Sequence, residues 1–93
     1  EYQHFEDTKN PPNNGLIIVT QLPPEISNDL LSSAFARFGD IHRIQGTPAR
    51  KTQKFIEFCD TRCAELAVRK MNHSYLFGGR VCVSYSVPEN YRA

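Results

Sequence analysis

The stretch Lys51–Phe58, K-T-Q-K-F-I-E-F, decides how the rest of the chain is read. Its period of two makes it a β-strand, with Ile56 and Phe58 on one side and Gln53, Phe55 and Glu57 on the other. The first side belongs to a core. On the second, Phe55 puts an apolar ring where a two-layer domain expects a solvated polar group. A lone exposed aromatic is ordinary. This one, however, has Lys51 and Gln53 as face-mates, with Arg50 just before them. A ring on which a planar base can stack, beside cations that can hold phosphates, is what a single-stranded nucleic acid asks of a surface.

Reading outward from this strand, Gly46-Thr47-Pro48 is a turn back to a strand over Ile41–Gln45. Before that, Leu31, Ala34, Phe35 and Phe38 recur at helical spacing, with Ser27 as N-cap, Asp29 in the first turn and Gly39 as the stop. Leu16–Thr20 is a β-branched strand closed by Gln21-Leu22-Pro23-Pro24. On the other side, Asp60 caps a second helix whose apolar stripe is Ala64, Ala67, Val68 and Met71. Asn72-His73-Ser74 ends it, Gly78-Gly79 turns, and Arg80–Ser86 alternates as a last strand. Strand–helix–strand thus occurs twice. That pattern predicts an α+β, ferredoxin-like domain: a four-stranded antiparallel sheet with two helices on one face and the other face open. The expected divisions are a tail or linker over 1–15, the domain over 16–87 and a C-terminal tail over 88–93. Within the tails, Tyr2, His4, Phe5, Tyr91 and Arg92 carry groups able to fold back on the domain.

The 93 residues are 40% hydrophobic and 11% aromatic, enough for one small core, and the length fits one domain of a longer protein. A net charge of +1 does not by itself announce a nucleic-acid binder. Its distribution says more: Glu1, Glu6 and Asp7 lead the chain, whereas Arg37, Arg43, Arg50, Lys51 and Lys54 gather around a single Asp40. Cys59, Cys63 and Cys82 form no C-x-x-C pair, so a metal site and a disulfide framework are not expected; reduced, mostly buried thiols are. His42 and His73 have no companions at metal or catalytic spacing. Without a signal peptide or a bilayer-length apolar run, the expected setting is intracellular, in nucleus or cytoplasm, with no membrane partner.

Alternation assigns the two faces. With Ile17, Val19, Ile41, Ile44, Val81, Val83 and Tyr85 turned to the core, the open face holds Ile18, Thr20, Arg43, Gln45, Lys51, Gln53, Phe55, Glu57, Cys82, Ser84 and Ser86. A bulge in the Ile41–Gln45 strand would shift this register. The face is amide and hydroxyl in character, edged with cations and centred on Ile18 and Phe55. Such a surface suits a single-stranded nucleic acid or a protein partner.

The order of elements and two strand motifs resemble the RNA recognition motif (RRM) family over residues 16–86. I-I-V-T-Q-L (17–22) is similar to that family's short RNP box and K-T-Q-K-F-I-E-F (51–58) to its long one; F-G-D-I (38–41), A-x-x-A (64–67) and M-N-H (71–73) match further landmarks. The resemblance implies base stacking on rings at the second position of the short box and the third and fifth of the long one. Here those positions are Ile18, Gln53 and Phe55, so only Phe55 keeps a ring. The glycine and the glycine or alanine expected at the long box's second and fourth positions are Thr52 and Lys54, and the Lys54 stem must snorkel from the core side to water. At about 1–3 kcal/mol per stacked base, two missing rings weaken binding by roughly one to several orders of magnitude. The short connection and the K-F-I-E-F strand also resemble the Mei-two-like proteins of fungi and plants, multi-RRM regulators of meiosis and developmental RNA fate. That likeness implies sister RRMs and a share of avidity for each.

The expected function is therefore a non-catalytic, single-stranded RNA-binding module, monomeric and free of cofactors, within a post-transcriptional or meiotic regulator. Phe55 and Ile18 would lie under bases, Arg43, Arg50 and Lys51 near phosphates, and Thr20, Gln45, Gln53, Ser84 and Ser86 within hydrogen-bonding reach. The alternative is a protein-interaction domain with a degenerate RNA face, using the open sheet or Arg62, Glu65, Arg69 and Lys70 on the second helix. An acylphosphatase-like enzyme on the same fold lacks support, since there is no glycine-rich phosphate cradle and no nucleophile–base pair.

Overall fold

In the computed structural model, residues 13–47 and 49–86 are described. Strand β1 (Leu16–Thr20) leads into helix α1 (Asn28–Phe35), where the Ser27 side chain accepts the Leu30 N–H at 3.2 Å and satisfies one of the first-turn donors. Helix α1 buries Leu31 and Phe35 and tightens into a 3₁₀ turn over Ala36–Phe38. The chain then reverses at Gly39 with φ 147°, in the left-handed region, and a Cβ there would run into Cys63 Sγ. Strands β2 (Ile41–Thr47) and β3 (Arg50–Phe58) form a hairpin, and helix α2 (Thr61–Met71) follows, capped by the Asp60 carboxylate. Its buried Ala64 and Ala67 let the helix approach the sheet closely. Two short strands, β4 (Tyr75–Leu76) and β5 (Gly79–Arg80), pair with each other before β6 (Cys82–Tyr85).

The main sheet runs β2-β3-β1-β6 with every neighbour antiparallel, which is the ferredoxin-like arrangement the sequence predicts. Both helices cover one face. Ile17, Val19, Ile56, Phe58 and Val83 of the sheet meet Leu31, Phe35, Ala64, Ala67 and Met71 of the helices in one cluster. Each large side chain removed from water there stabilises the fold by about 1.5–3 kcal/mol.

Three local expectations are corrected. β2 continues through Gly46 and Thr47, which pair with Lys54 and Arg50, so the turn is confined to the residues between Thr47 and Arg50. The last strand is divided: Val81 leaves the main ladder, donating its N–H to Ser74 O at 2.9 Å and accepting from His73 N–H at 2.8 Å, while Arg80 pairs with Tyr75. The expected linker is tied down at its end, because Asn13 Nδ2 donates to Thr61 O at 2.8 Å and the Asn13 and Asn14 side chains accept the Gly15 and Leu16 N–H groups. Tyr2, His4, Phe5, Tyr91 and Arg92 lie outside the described residues.

Candidate functional site

The open face is organised in rows across the strands. Register places Gln45 opposite Phe55, Phe55 opposite Ile18 and Ile18 opposite Ser84, one line over all four strands. The neighbouring row sets Arg43 opposite Glu57 and Glu57 opposite Leu16, with Ser86 donating its N–H to Leu16 O at 2.9 Å. On the other flank Thr20 faces Cys82. The rows align because the pairing shifts between Ile41 and Arg43, a bulge at His42 that puts Ile41 and Ile44 both on the helix side. The expected face assignment of Ile18, Thr20, Arg43, Gln45, Phe55, Ser84 and Ser86 therefore stands, whereas Lys51 and Gln53 lie where the β2–β3 register shifts.

Exposure is another matter. Phe55 is only 3% exposed, although it lies outside the helix-side cluster, so the solvated ring that the sequence suggests is a covered one. Ser86, expected at the surface, is 2% exposed, and Leu16, which shares this face, is 4% exposed. Leu16 and Phe55 are the two buried apolar side chains that do not belong to the core between sheet and helices. Both helices pack on the opposite face, so a base can stack on Phe55 only after the ring is uncovered. Ile18 and Thr20 are half-buried, while Gln45, Arg43 and Ser84 are exposed.

Leu16 was missed by the sequence reasoning, although it has the parity of Ile18. Its position at the start of the strand gave no alternation to read on its N-terminal side.

Charge on this face is partly spent internally. Arg43 Nε lies 3.9 Å from Glu57 Oε1 across the β2–β3 pair, both side chains being well exposed. Such a pair contributes little, about 0–1 kcal/mol, and yields readily to a phosphate. At the hairpin end Arg50 and Lys51 are exposed. Lys51 shares the open side with Gln53, whose amide reaches Thr47 Oγ1 at 3.4 Å. Arg50 pairs with Thr47 beyond a shift in the register that separates it from the Gly46–Lys54 pair. Lys54 does snorkel as expected: half-buried, it carries its amine to Asn28 Oδ1 at 2.7 Å. Between this hairpin and Pro24 lies an open groove of about 270 Å³.

Elsewhere the chemistry is sparse. Cys59 is exposed and Cys63 and Cys82 are partly buried, so the expectation of mostly buried thiols fails at Cys59; all three are free. Among the described residues no group of three or more His, Cys, Asp or Glu could hold a metal ion. No helix among them is long and apolar enough to cross a membrane. On α2, Arg62, Glu65, Arg69 and Lys70 are exposed, and Arg62 is engaged by Asp60 at 2.6 Å. That guanidinium, by hydrogen bonding, holds the Asp60 carboxyl down at about 2. The Tyr85 phenol is pushed up, chiefly by burial and then by Glu65.

Comparison with known proteins gives these features a context. The profile of the RNA recognition motif family matches residues 17–83. The chain is 37% identical over 90 residues to Protein MEI2-like 2 of Oryza sativa subsp. japonica, covering 91% of this chain and 11% of that protein. It is 39% identical over 90 residues to Protein MEI2-like 5 of Arabidopsis thaliana, again covering 91% of this chain and 11% of the relative. The chain thus spans about a tenth of the length of these curated relatives. Among solved structures, that titled "Structure of RNA15 RRM" superposes with a TM-score of 0.78 at 18% identity, over 88% of this chain and all of the other (100%), a likeness of fold.

Proposed function

This chain belongs to the RNA recognition motif family and is of its MEI2-like type, and from that premise we propose that it serves as a non-catalytic module binding single-stranded RNA inside the cell. The observation that carries the reading is the row Gln45–Phe55–Ile18–Ser84, which crosses all four strands on the face the helices leave open. Phe55 and Ile18 lie under the bases. Gln45, Gln53, Thr20 and Ser84 offer hydrogen bonds to base edges and sugar, and Arg43, Arg50 and Lys51 meet phosphates.

With one ring where the family pattern has three, the RNP boxes are weakened and each stack foregone is worth about 1–3 kcal/mol. The module accordingly supplies a fraction of the affinity of a larger, multi-RRM post-transcriptional or meiotic regulator, in which linked modules raise one another's effective concentration. The domain boundaries expected at 16 and 87 delimit that unit. A protein-binding role for the same face is the second reading, favoured by the covered state of Phe55.

Titrating the monomeric domain with pools of short RNA, followed by backbone amide shifts, tests the proposal. Shifts are expected at Gln45, Ile18, Phe55 and Ser84, with log K falling against log salt by about 0.7 for each phosphate contacted. Phe55→Leu is the companion variant, since it keeps the covered position filled while removing the ring. Silence of that row at millimolar RNA refutes RNA binding by this module.

A further inference from the structure

Lys54 stands on the helix side of the sheet, its register partners being Val19 in β1 and Gly46 in β2. A lysine at such a place must carry its charge out along its stem. Here it passes over Gly46, whose missing side chain leaves the stem atoms 3.6 Å from where a Cβ would be, and reaches Asn28 at the start of α1. Arg50, which pairs with Thr47 beyond a shift in the β2–β3 register, and Lys51 line the same groove. The three cations thus line the groove between the hairpin and the β1–α1 loop, with Pro24, Gly46, Thr47 and Gln53 as its walls. Among the described residues no carboxylate lines the groove; Glu25 and Asp29 are near in sequence but outside it. Among the described residues none of the three cations has an ion-pair partner. Its volume of about 270 Å³ exceeds severalfold the roughly 30 Å³ that one water occupies in the liquid, so an anion fits with part of its hydration.

We propose that this groove is a phosphate site that continues from the open face over the hairpin to its helix side, in which Lys54, positioned by Asn28, takes an RNA phosphodiester together with Arg50 and Lys51. It rests on the RNA-binding reading and adds a path to it. The strand does not end at the edge of the sheet but bends over the hairpin end toward α1, and the contact made there offsets part of what the missing rings forgo.

The test has two arms, using Lys54→Met, which keeps the stem and removes the charge, and Lys54→Arg, which restores it. In the first, inorganic phosphate is titrated against the protein alone while backbone amides are followed. Shifts at Gly46, Thr47, Arg50 and Lys51 that disappear in Lys54→Met and return in Lys54→Arg support the site. Shifts that survive Lys54→Met, or that spread evenly over all cationic residues, overturn it. In the second arm, RNA oligonucleotides of increasing length are bound at several salt concentrations. Lys54→Met is expected to weaken the longer oligonucleotides about 3–10-fold, to spare those just long enough for the sheet, and to lower the salt slope by about 0.7. An unchanged slope overturns the proposed path. Phosphate binding in the groove with no RNA binding at all would instead reject the RNA-binding reading and leave the anion site standing.

Discussion

Replacing Ile18 by tyrosine tests whether the open face works by stacking. Ile18 sits directly between Phe55 and Ser84 in the central row and is half-buried. A ring there would lie beside Phe55 and restore the second stacking position of the family pattern. One stacked base is worth about 1–3 kcal/mol, and 1.4 kcal/mol is tenfold in affinity, so binding should tighten roughly 5- to 150-fold. Fluorescence anisotropy with a labelled uridine-rich oligonucleotide, at one fixed salt concentration, reads the effect. Thermal unfolding accompanies it, since a change at a partly exposed strand position should leave stability within about 0.5 kcal/mol. An affinity ratio under about twofold in a variant with native amide spectra would refute stacking on this face.

Other expectations concern the scaffold. Gly39→Ala forces a side chain into Cys63 at a left-handed backbone position and should cost about 2–4 kcal/mol in urea unfolding. Asn72→Ala removes the oxygen that accepts the buried Val83 N–H at 2.8 Å; the orphaned donor should cost about 1–2 kcal/mol, measured the same way. Asp60 contributes through its depressed carboxyl, from an ordinary 3.8 to about 2. Because the folded value is the lower one, that contribution is complete above about pH 4 and disappears as the pH falls through 2. Asp60→Asn should therefore melt below wild type at pH 6, and the gap should close between pH 4 and pH 2. A gap independent of pH would remove the charge from the explanation.

Much of this molecule could be read from local signals. The alternation of Lys51–Phe58, the caps at Ser27 and Asp60 and the alanine stripe of α2 each report on a few neighbouring residues, and each is realised as read. The bulge at His42, which lets Ile41 and Ile44 share a face, is located by the strand pairing and not by alternation. What escaped was non-local. Alternation assigns Phe55 and Ser86 to a face but carries no information about what covers that face. The break at Val81 depends on backbone groups of His73 and Ser74, which lie across a turn. The groove at the hairpin needs Asn28, distant in sequence from Lys54, to hold the amine in place. No period or motif in the chain links those two residues.

The hydrogen bond from Ser86 to Leu16 means that the polypeptide enters and leaves the sheet at adjacent points. Leu16 is paired with Glu57, and Arg50 stands at the far end of the same strand. The module is thus polarised, with both attachments at one pole and the cationic hairpin at the other. Adjacent entry and exit points are the geometry that lets a domain be inserted into or removed from a longer chain.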